Sequence, residues 1–295
     1  MDKRNQSFMT LIKKVHGLVE NSDIEKHRQN QDNMGSLFGK QKELTIKEVN
    51  IGELKGEWLS VNRSHMKKYV ILYCHGGGYT TGSCLYARTL TTKFASTTSM
   101  DVLCFDYRLA PENPYPSAGE DAMKAWDYLM LLGYGARDII VAGDSAGGNM
   151  ALTLILKLKD QGRLLPRGLV LMSPWTDLTL QGKSHDTRAE IDPVLNADYI
   201  EKSIRSYANG EDLTDPYISP LYGSFKGFPP TYIQVGNNEI LLSDSTLLYK
   251  KLIKENVTVK MDIFKNMWHV FQMSPFKTAY EAMDKNAEFI YDICR

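Results

Sequence analysis

The chain has 295 residues, 43% hydrophobic and 24% charged, with a formal charge of zero. That is enough apolar material for one large α/β domain with a substantial core, and too much for a chain dominated by disorder. There is no block of like charge and so no electrostatic footprint for nucleic acid or an anionic membrane, which leaves a small molecule as the expected partner. No continuous apolar segment follows the polar start Met1-Asp2-Lys3-Arg4-Asn5-Gln6, and no later stretch is long enough to span a membrane, so a soluble, unexported, cytoplasmic protein is expected. Cys74, Cys84, Cys104 and Cys294 show neither C-x-x-C spacing nor a companion histidine cluster. Neither a metal nor another cofactor is indicated, and free thiols suit a reducing cytoplasm.

In chain order, the first forty residues read as one or two amphipathic helices through Phe8, Leu11, Ile12, Val15, Leu18 and Val19, followed by a polar loop with Met34-Gly35-Ser36-Leu37-Phe38. Strand-like runs follow at Leu44 to Asn50, Trp58 to Asn62 and Tyr69 to Cys74. The third run ends in His75-Gly76-Gly77-Gly78, a loop of the kind whose backbone N–H groups stabilise an oxyanion. A helical pattern at Tyr86 to Ser96, a strand at Val102 to Asp106 and a helix at Ala118 to Leu132 come next. The strand at Asp138 to Ala142 then runs into Gly143-Asp144-Ser145-Ala146-Gly147, which fits G-x-S-x-G. That motif is a sharp strand-to-helix turn that exposes a serine hydroxyl, and Ser145 opens a helical pattern reaching Lys159.

Beyond it lie strands at Leu169 to Met172, Thr231 to Val235 and Val257 to Phe264, with helices at Leu241 to Glu255 and Pro275 to Ile293. Eight strands, mostly alternating with helices, predict an α/β fold with a mostly parallel sheet covered on both faces. The two early strands have no helix between them, so the sheet should start antiparallel. A single domain over 1–295 follows, with two segments outside the alternation, at about 1–42 and 178–211, the second with a helix at Ala197 to Tyr207. Such insertions sit over the C-terminal strand ends, where ligands bind, and are expected to form a small helical cap.

A serine hydroxyl needs a base to take its proton. Of six histidines, His16 and His27 fall in the first cap segment, His65 in an early loop, His185 in the insertion, and His75 in the glycine loop, where its ring would brace the glycines. His269 remains, just after the last strand, where it keeps the chain order nucleophile, acid, base.

From about residue 69 to 275 the chain resembles the hormone-sensitive-lipase-like branch of the α/β-hydrolases, which holds many bacterial carboxylesterases and acetyl esterases. The resemblance rests on the two glycine motifs, on Asp106-Tyr107-Arg108-Leu109-Ala110-Pro111-Glu112, on Pro116, Ala118 and Asp121, on Ser173-Pro174-Trp175-Thr176-Asp177, and on Ser219-Pro220-Leu221. It implies that Gly77, Gly78 and Ala146 supply the oxyanion N–H groups, with His75, Gly76 and Asp144 supporting the motifs. It also implies a short acyl ester as substrate, hydrolysed through an acyl-enzyme. In similar proteins the last strand and helix commonly form a homodimer interface.

The resemblance places the triad acid in Val235-Gly236-Asn237-Asn238-Glu239-Ile240-Leu241-Leu242, where Asn238 stands at the aspartate position, 31 residues before His269. Asparagine can orient an imidazole but cannot stabilise an imidazolium, and the corresponding change in a serine protease costs about 10⁴ in turnover. Three explanations stand side by side: a neutral orienter in a weakened esterase, a disabling change, or a nearby carboxylate as substitute. Glu239 would serve if the turn relaxed, and Asp244 lies about a helical turn onward, although adjacent turn residues usually point apart and both carboxylates read more simply as solvated charges or helix N-terminal partners.

Tyr79 and Trp175 follow motifs near the site and are candidates for the substrate pocket, with core packing as the alternative. Met34, Leu37, Phe38 and Tyr199 are candidate cap contacts. Arg108 and Glu112 read as an ion pair or as a brace for the oxyanion loop. The leading function is a serine carboxylesterase, with reduced activity if Asn238 is the operative residue. The alternatives are a lactone or amide hydrolase or a deacetylase on the same scaffold, and a catalytically impaired ligand-binding protein in the manner of the plant gibberellin receptors, which resemble the same family.

Overall fold

The apolar runs around Ile71, Leu103, Val141 and Val170 form the middle of an eight-stranded sheet. This computed structural model describes residue 13 and residues 23–38, 43–65 and 67–295. The helix expected through Phe8 to Val19 lies outside the described residues, as do the side chains of Met34, Leu37 and Phe38. The strands are β1 (Leu44–Ile51), β2 (Leu54–Val61), β3 (Val70–Cys74), β4 (Asp101–Phe105), β5 (Ile139–Asp144), β6 (Gly168–Met172), β7 (Thr231–Gly236) and β8 (Val259–Phe264), in the spatial order β1-β2-β4-β3-β5-β6-β7-β8. β1 with β2 and β2 with β4 pair antiparallel, and the remaining neighbours pair parallel.

Every residue of β3 through β7 is buried, as a central parallel sheet covered on both faces requires. Side chains alternate between the two faces. Val70, Leu72, Ile139, Val141, Leu169 and Leu171 pack under α3 (Ser117–Leu131), α4 (Ala146–Asp160) and α7 (Leu242–Lys254). Ile71, Tyr73, Ile140, Ala142 and Val170 face α2 (Cys84–Thr98) and α8 (Lys277–Cys294). Burying one such leucine or isoleucine contributes about 1.5–3 kcal/mol, so the sheet centre is the most rigid support available to a site at its edge.

Most expected boundaries lie within two residues of those observed, and two segments differ by more for identifiable reasons. β2 begins at Leu54, four residues before the expected Trp58, because Lys55-Gly56-Glu57 pairs in register with Asn50, Val49 and Glu48. At Gly56 a Cβ would come within 2.7 Å of the Cys104 carbonyl, and Glu57 is neutralised by a two-pronged pair with Arg88 at 2.6 and 2.9 Å. The segment expected as a polar loop around Gly35 belongs to helix α1 (Ile24–Phe38). There Gly35 lets the helix lie directly on the Leu85 backbone, a tertiary contact that overrides the poor helix propensity of glycine. The insertion after β6 contains α5 (Ser184–Thr187) and α6 (Ala197–Ala208), the latter capped by Asn196, whose side chain accepts from Tyr199 N. Among the described residues no helix is long and apolar enough to cross a membrane.

Candidate active site

Ser145 sits between β5 and α4 with φ 54° and ψ −122°, a conformation costly for a residue with a Cβ. The turn is held by its own backbone: Ser145 N donates to Met172 O at 3.0 Å, while Ser145 O accepts from Trp175 N at 3.1 Å. It also needs small neighbours. A Cβ on Gly143 would run into the Gly147 carbonyl, and one on Gly147 would run into the carbonyls of Cys74 and His75. The result aims Ser145 Oγ at His269 Nε2, 2.9 Å away.

His269 lies between β8 and a short 3-10 turn at Phe271–Met273, and its loop is laced to the end of β7. Asn238 N donates to Met267 O at 3.0 Å, Asn237 N to Phe264 O at 3.1 Å, and Asn266 N to Asn237 Oδ1 at 2.6 Å. Gly236 permits the approach, since a Cβ there would strike the Met267 backbone.

The group on His269 Nδ1 is the carboxylate of Glu239, with Oε2 at 2.9 Å. Its other oxygen accepts from Ser173 Oγ at 2.9 Å and from Gly236 N at 2.6 Å. Glu239 is fully buried, so its reading as a solvated charge is corrected, and the turn need not relax for it to reach the imidazole. The placement of Asn238 as partner of His269 is corrected as well: residue 238 contributes its backbone N–H to the histidine loop, while its successor turns inward. Asp244, the third candidate, is committed elsewhere and equally buried. Its Oδ1 accepts from Thr176 N at 2.8 Å and Asp177 N at 3.0 Å, and its Oδ2 lies 3.2 Å from His185 Nε2.

Since the carboxylate can only accept, Nδ1 carries the proton and Nε2 is left to accept from Ser145. Burial acts to lower the His269 pKa, but hydrogen bonding and charge from Glu239, with Asp192 and Asp144 adding to it, hold it above its ordinary value.

The glycine loop curls over the serine. Gly77 (φ 114°) and Gly78 (φ 62°) both occupy the left-handed region, and Gly77 O ties the turn together by accepting from Thr80 N and Thr81 N at 3.1 and 2.9 Å. Among the described residues, no acceptor takes the N–H of Gly77 or Gly78, and Ala146 N belongs to the first turn of α4, where the helix offers it no carbonyl. His75 braces the loop as expected, its Nδ1 lying 2.8 Å from Gly76 O and its ring stacked on Tyr107 at 4.1 Å. Asp144 anchors the other side by accepting from Gly76 N at 3.0 Å and Tyr73 OH at 2.6 Å, and burial pushes its carboxyl up to about 6.

Several assignments change. Arg108 pairs with Asp121 at 2.8 Å and Glu120 at 2.9 Å, not with Glu112. Glu112 instead pairs with Arg28 of α1, which also donates to Thr80 O at 2.9 Å and Ala110 O at 3.0 Å and so braces the oxyanion loop. Tyr79 stacks face to face on Tyr207 of α6 at 3.7 Å and donates to Asn149 Oδ1, and Trp175 is equally buried. Both rings are packed in the core instead of lining an open pocket. Tyr199 does approach the site: its hydroxyl and Ser203 Oγ lie 3.0 and 2.8 Å from where a Cβ on Gly78 would stand. Sequence reasoning missed Arg28, Tyr107 and the Ser173 hydroxyl. The only signal is that Ser173 and Tyr107 fall inside motifs that carry the family resemblance.

Comparison with known proteins agrees with this fold. Residues 71–273 match a family described as having the alpha/beta hydrolase fold. The chain is 37% identical to an esterase of Acinetobacter venetianus over 88% of its own length and 86% of the relative's, and 33% identical to an acetyl-hydrolase of Streptomyces hygroscopicus over 86% and 84%. It superposes on the crystal structure of an esterase from the bacterial hormone-sensitive lipase family with a TM-score of 0.93 at 28% identity, covering 99% of this chain and 98% of the other.

Proposed function

Because the chain belongs to the α/β-hydrolase family, in its hormone-sensitive-lipase-like branch, we propose that it is a metal-free serine carboxylesterase acting on short-chain acyl esters. Ser145 is the nucleophile, His269 the base, Glu239 the orienting acid, and the N–H groups of Gly77, Gly78 and Ala146 form the oxyanion hole. The observation that carries the reading is the continuous relay from Ser145 Oγ through both nitrogens of His269 to Glu239, with 2.9 Å at each contact.

As Ser145 Oγ bonds to the ester carbonyl carbon, its proton passes to His269 Nε2 and the carbonyl electron pair moves onto oxygen. The three N–H groups stabilise that oxyanion, and Glu239 stabilises the imidazolium. Collapse breaks the bond to the alkoxy oxygen, which takes the proton from Nε2 and leaves as the alcohol. Water then repeats the sequence on the acyl-enzyme, His269 accepting its proton and returning one to Ser145 Oγ. A short acyl group is supported by the names of the relatives, an acetyl-hydrolase and an ethyl acetate hydrolase among them.

In this reading α1 and the insertion from Leu178 to Glu211 form the cap. The tie from Arg28 to Thr80 and the stack of Tyr207 on Tyr79 support it. Four free cysteines favour a cytoplasmic location, and β8, which among the described residues pairs only with β7, offers an edge for a homodimer.

The test is labelling with a fluorophosphonate alongside hydrolysis of p-nitrophenyl acetate. Covalent modification of Ser145, with both label and turnover lost in Ser145→Ala, is expected. A Ser145→Ala protein that hydrolyses as fast as its parent would sink the reading. Tight reversible binding without labelling would favour the receptor alternative.

A further inference from the structure

The insertion between β6 and β7 reaches the site through one buried carboxylate. Asp192 is 3% exposed, although it lies in a connecting segment between α5 and α6. Its Oδ1 accepts from Val194 N at 2.9 Å and Leu195 N at 3.1 Å, which folds the segment on itself. Its Oδ2 accepts from Ile240 N at 2.9 Å. Ile240 is the residue after Glu239, so this bond fastens the insertion to the turn that holds the imidazole.

A second, uncharged tie joins the same two segments. Ser184 Oγ donates to Ile240 O and accepts from Ser243 N at 2.8 Å, and Ser184 N donates to Ser243 Oγ at 2.9 Å. The histidine side is covered too, since Val194 packs against the cluster of Met267, Trp268 and Phe271.

We infer that Asp192 is a positioning residue for the reaction: it locks the insertion onto the Glu239 turn and adds a second negative charge within electrostatic reach of the His269 imidazolium. The inference rests on the serine esterase reading given above. The charges that bear on His269 are Glu239, Asp192 and Asp144, and those that bear on Asp192 are His269 and Glu239. Burial and the Glu239 charge push the Asp192 carboxyl up to about 6, while His269 and the three backbone N–H groups it accepts from, those of Val194, Leu195 and Ile240, favour its ionised form.

The insertion is then part of the catalytic support and not only a cover. Displacing it would loosen the Glu239 turn and the packing over His269 together, which couples occupation of the cap to competence of the triad.

The experiment compares Asp192→Asn, Ser184→Ala and Ser145→Ala with the parent. It measures kcat, KM and the acid limb of kcat/KM on p-nitrophenyl acetate, with circular dichroism and thermal melting to establish folding. Asparagine must turn its NH₂ toward either Ile240 N or the Val194 and Leu195 donors, so one set of bonds is lost along with the charge. The expected result for Asp192→Asn is a kcat lower by roughly ten- to a hundredfold with KM within about twofold, and an acid limb displaced to lower pH.

Ser184→Ala removes a tie but no charge. Its kcat should fall while its acid limb stays with the parent's. A folded Asp192→Asn with parental kcat and limb overturns the inference, as does a Ser184→Ala limb that moves as far as that of Asp192→Asn. If Asp192→Asn does not fold, Ser184→Ala decides, and an unchanged kcat overturns the inference. Failure of the underlying reading is separately visible, because Ser145→Ala would then remain active.

Discussion

Replacing Glu239 by Gln tests the site with a change of one atom, and the surroundings dictate how the new amide must lie. Oε1 accepts two hydrogen bonds, from Ser173 Oγ at 2.9 Å and from Gly236 N at 2.6 Å. Gly236 N can only donate, so the glutamine oxygen stays at that position and its NH₂ is forced toward His269 Nδ1. An NH₂ there selects the tautomer with the proton on Nε2, which has no lone pair for the Ser145 proton. The variant therefore loses both the charge that stabilises the imidazolium and the tautomer that accepts the proton.

The expected loss is about 10⁴ in kcat on p-nitrophenyl acetate, or about 5.5 kcal/mol at 1.36 kcal/mol per decade. The pH profile should change in a defined sense. Activity needs neutral His269, so kcat/KM rises as pH passes upward through its pKa. Burial lowers that pKa, while Glu239, with Asp192 and Asp144, holds it above its ordinary value, so without the Glu239 carboxylate the acid limb of the residual activity moves to lower pH. A Glu239→Gln enzyme with more than a tenth of the parental kcat, or with the limb in its original place, would refute the reasoning.

Asn238→Asp should leave kcat within about threefold, because the Nδ1 position is already filled by Glu239; a large gain would return the acid role to residue 238. Ser173→Ala removes the donor to Glu239 and the acceptor of Val270 N, leaving that N–H buried, and should cost about 1–3 kcal/mol of stability with a kcat lower by roughly tenfold, read by thermal melting and initial rates. Gly147→Ala would drive a methyl group into the carbonyls of Cys74 and His75, so a destabilisation of about 3 kcal/mol and a Tm lower by roughly 5 °C are expected from calorimetry. Arg28→Ala releases Thr80 O and Ala110 O while breaking an ion pair with the exposed Glu112, and should lower kcat by more than its small effect on Tm, of order 1 kcal/mol, would suggest.

The central strands were legible because a parallel sheet covered on both faces buries every residue, and unbroken runs such as Val70-Ile71-Leu72-Tyr73-Cys74 have few other uses. Ser145 and its glycines were legible because the turn tolerates almost nothing else. The acid was not. Whether residue 238 or 239 faces the imidazole depends on the direction of a three-residue turn, and that direction is set by Gly236 N, by Ser173 across the sheet and by Met267 O, none of which are near in sequence to His269 and the turn together. Arg28 and Asp192 were invisible for a related reason. A charged residue in a polar stretch reads as solvated until tertiary structure shows that it is buried against backbone N–H or carbonyl groups. Tyr79 and Trp175 erred the other way, since closeness to a motif in sequence did not keep their rings out of the core.

The sheet order places His269 just beyond β8, which among the described residues has a hydrogen-bonded neighbour on one side only. Edge elements open with less free energy than the centre of a sheet, so in hydrogen exchange of the monomer the β8 amides and the loop after them should lose protection before those of β3 and β5. Ser145 and the glycine loop, carried by those inner strands, would stay formed in the opened state. Warming should thus first yield molecules that keep their sheet and their nucleophile but have no base, and inactivation would precede melting and reverse on cooling.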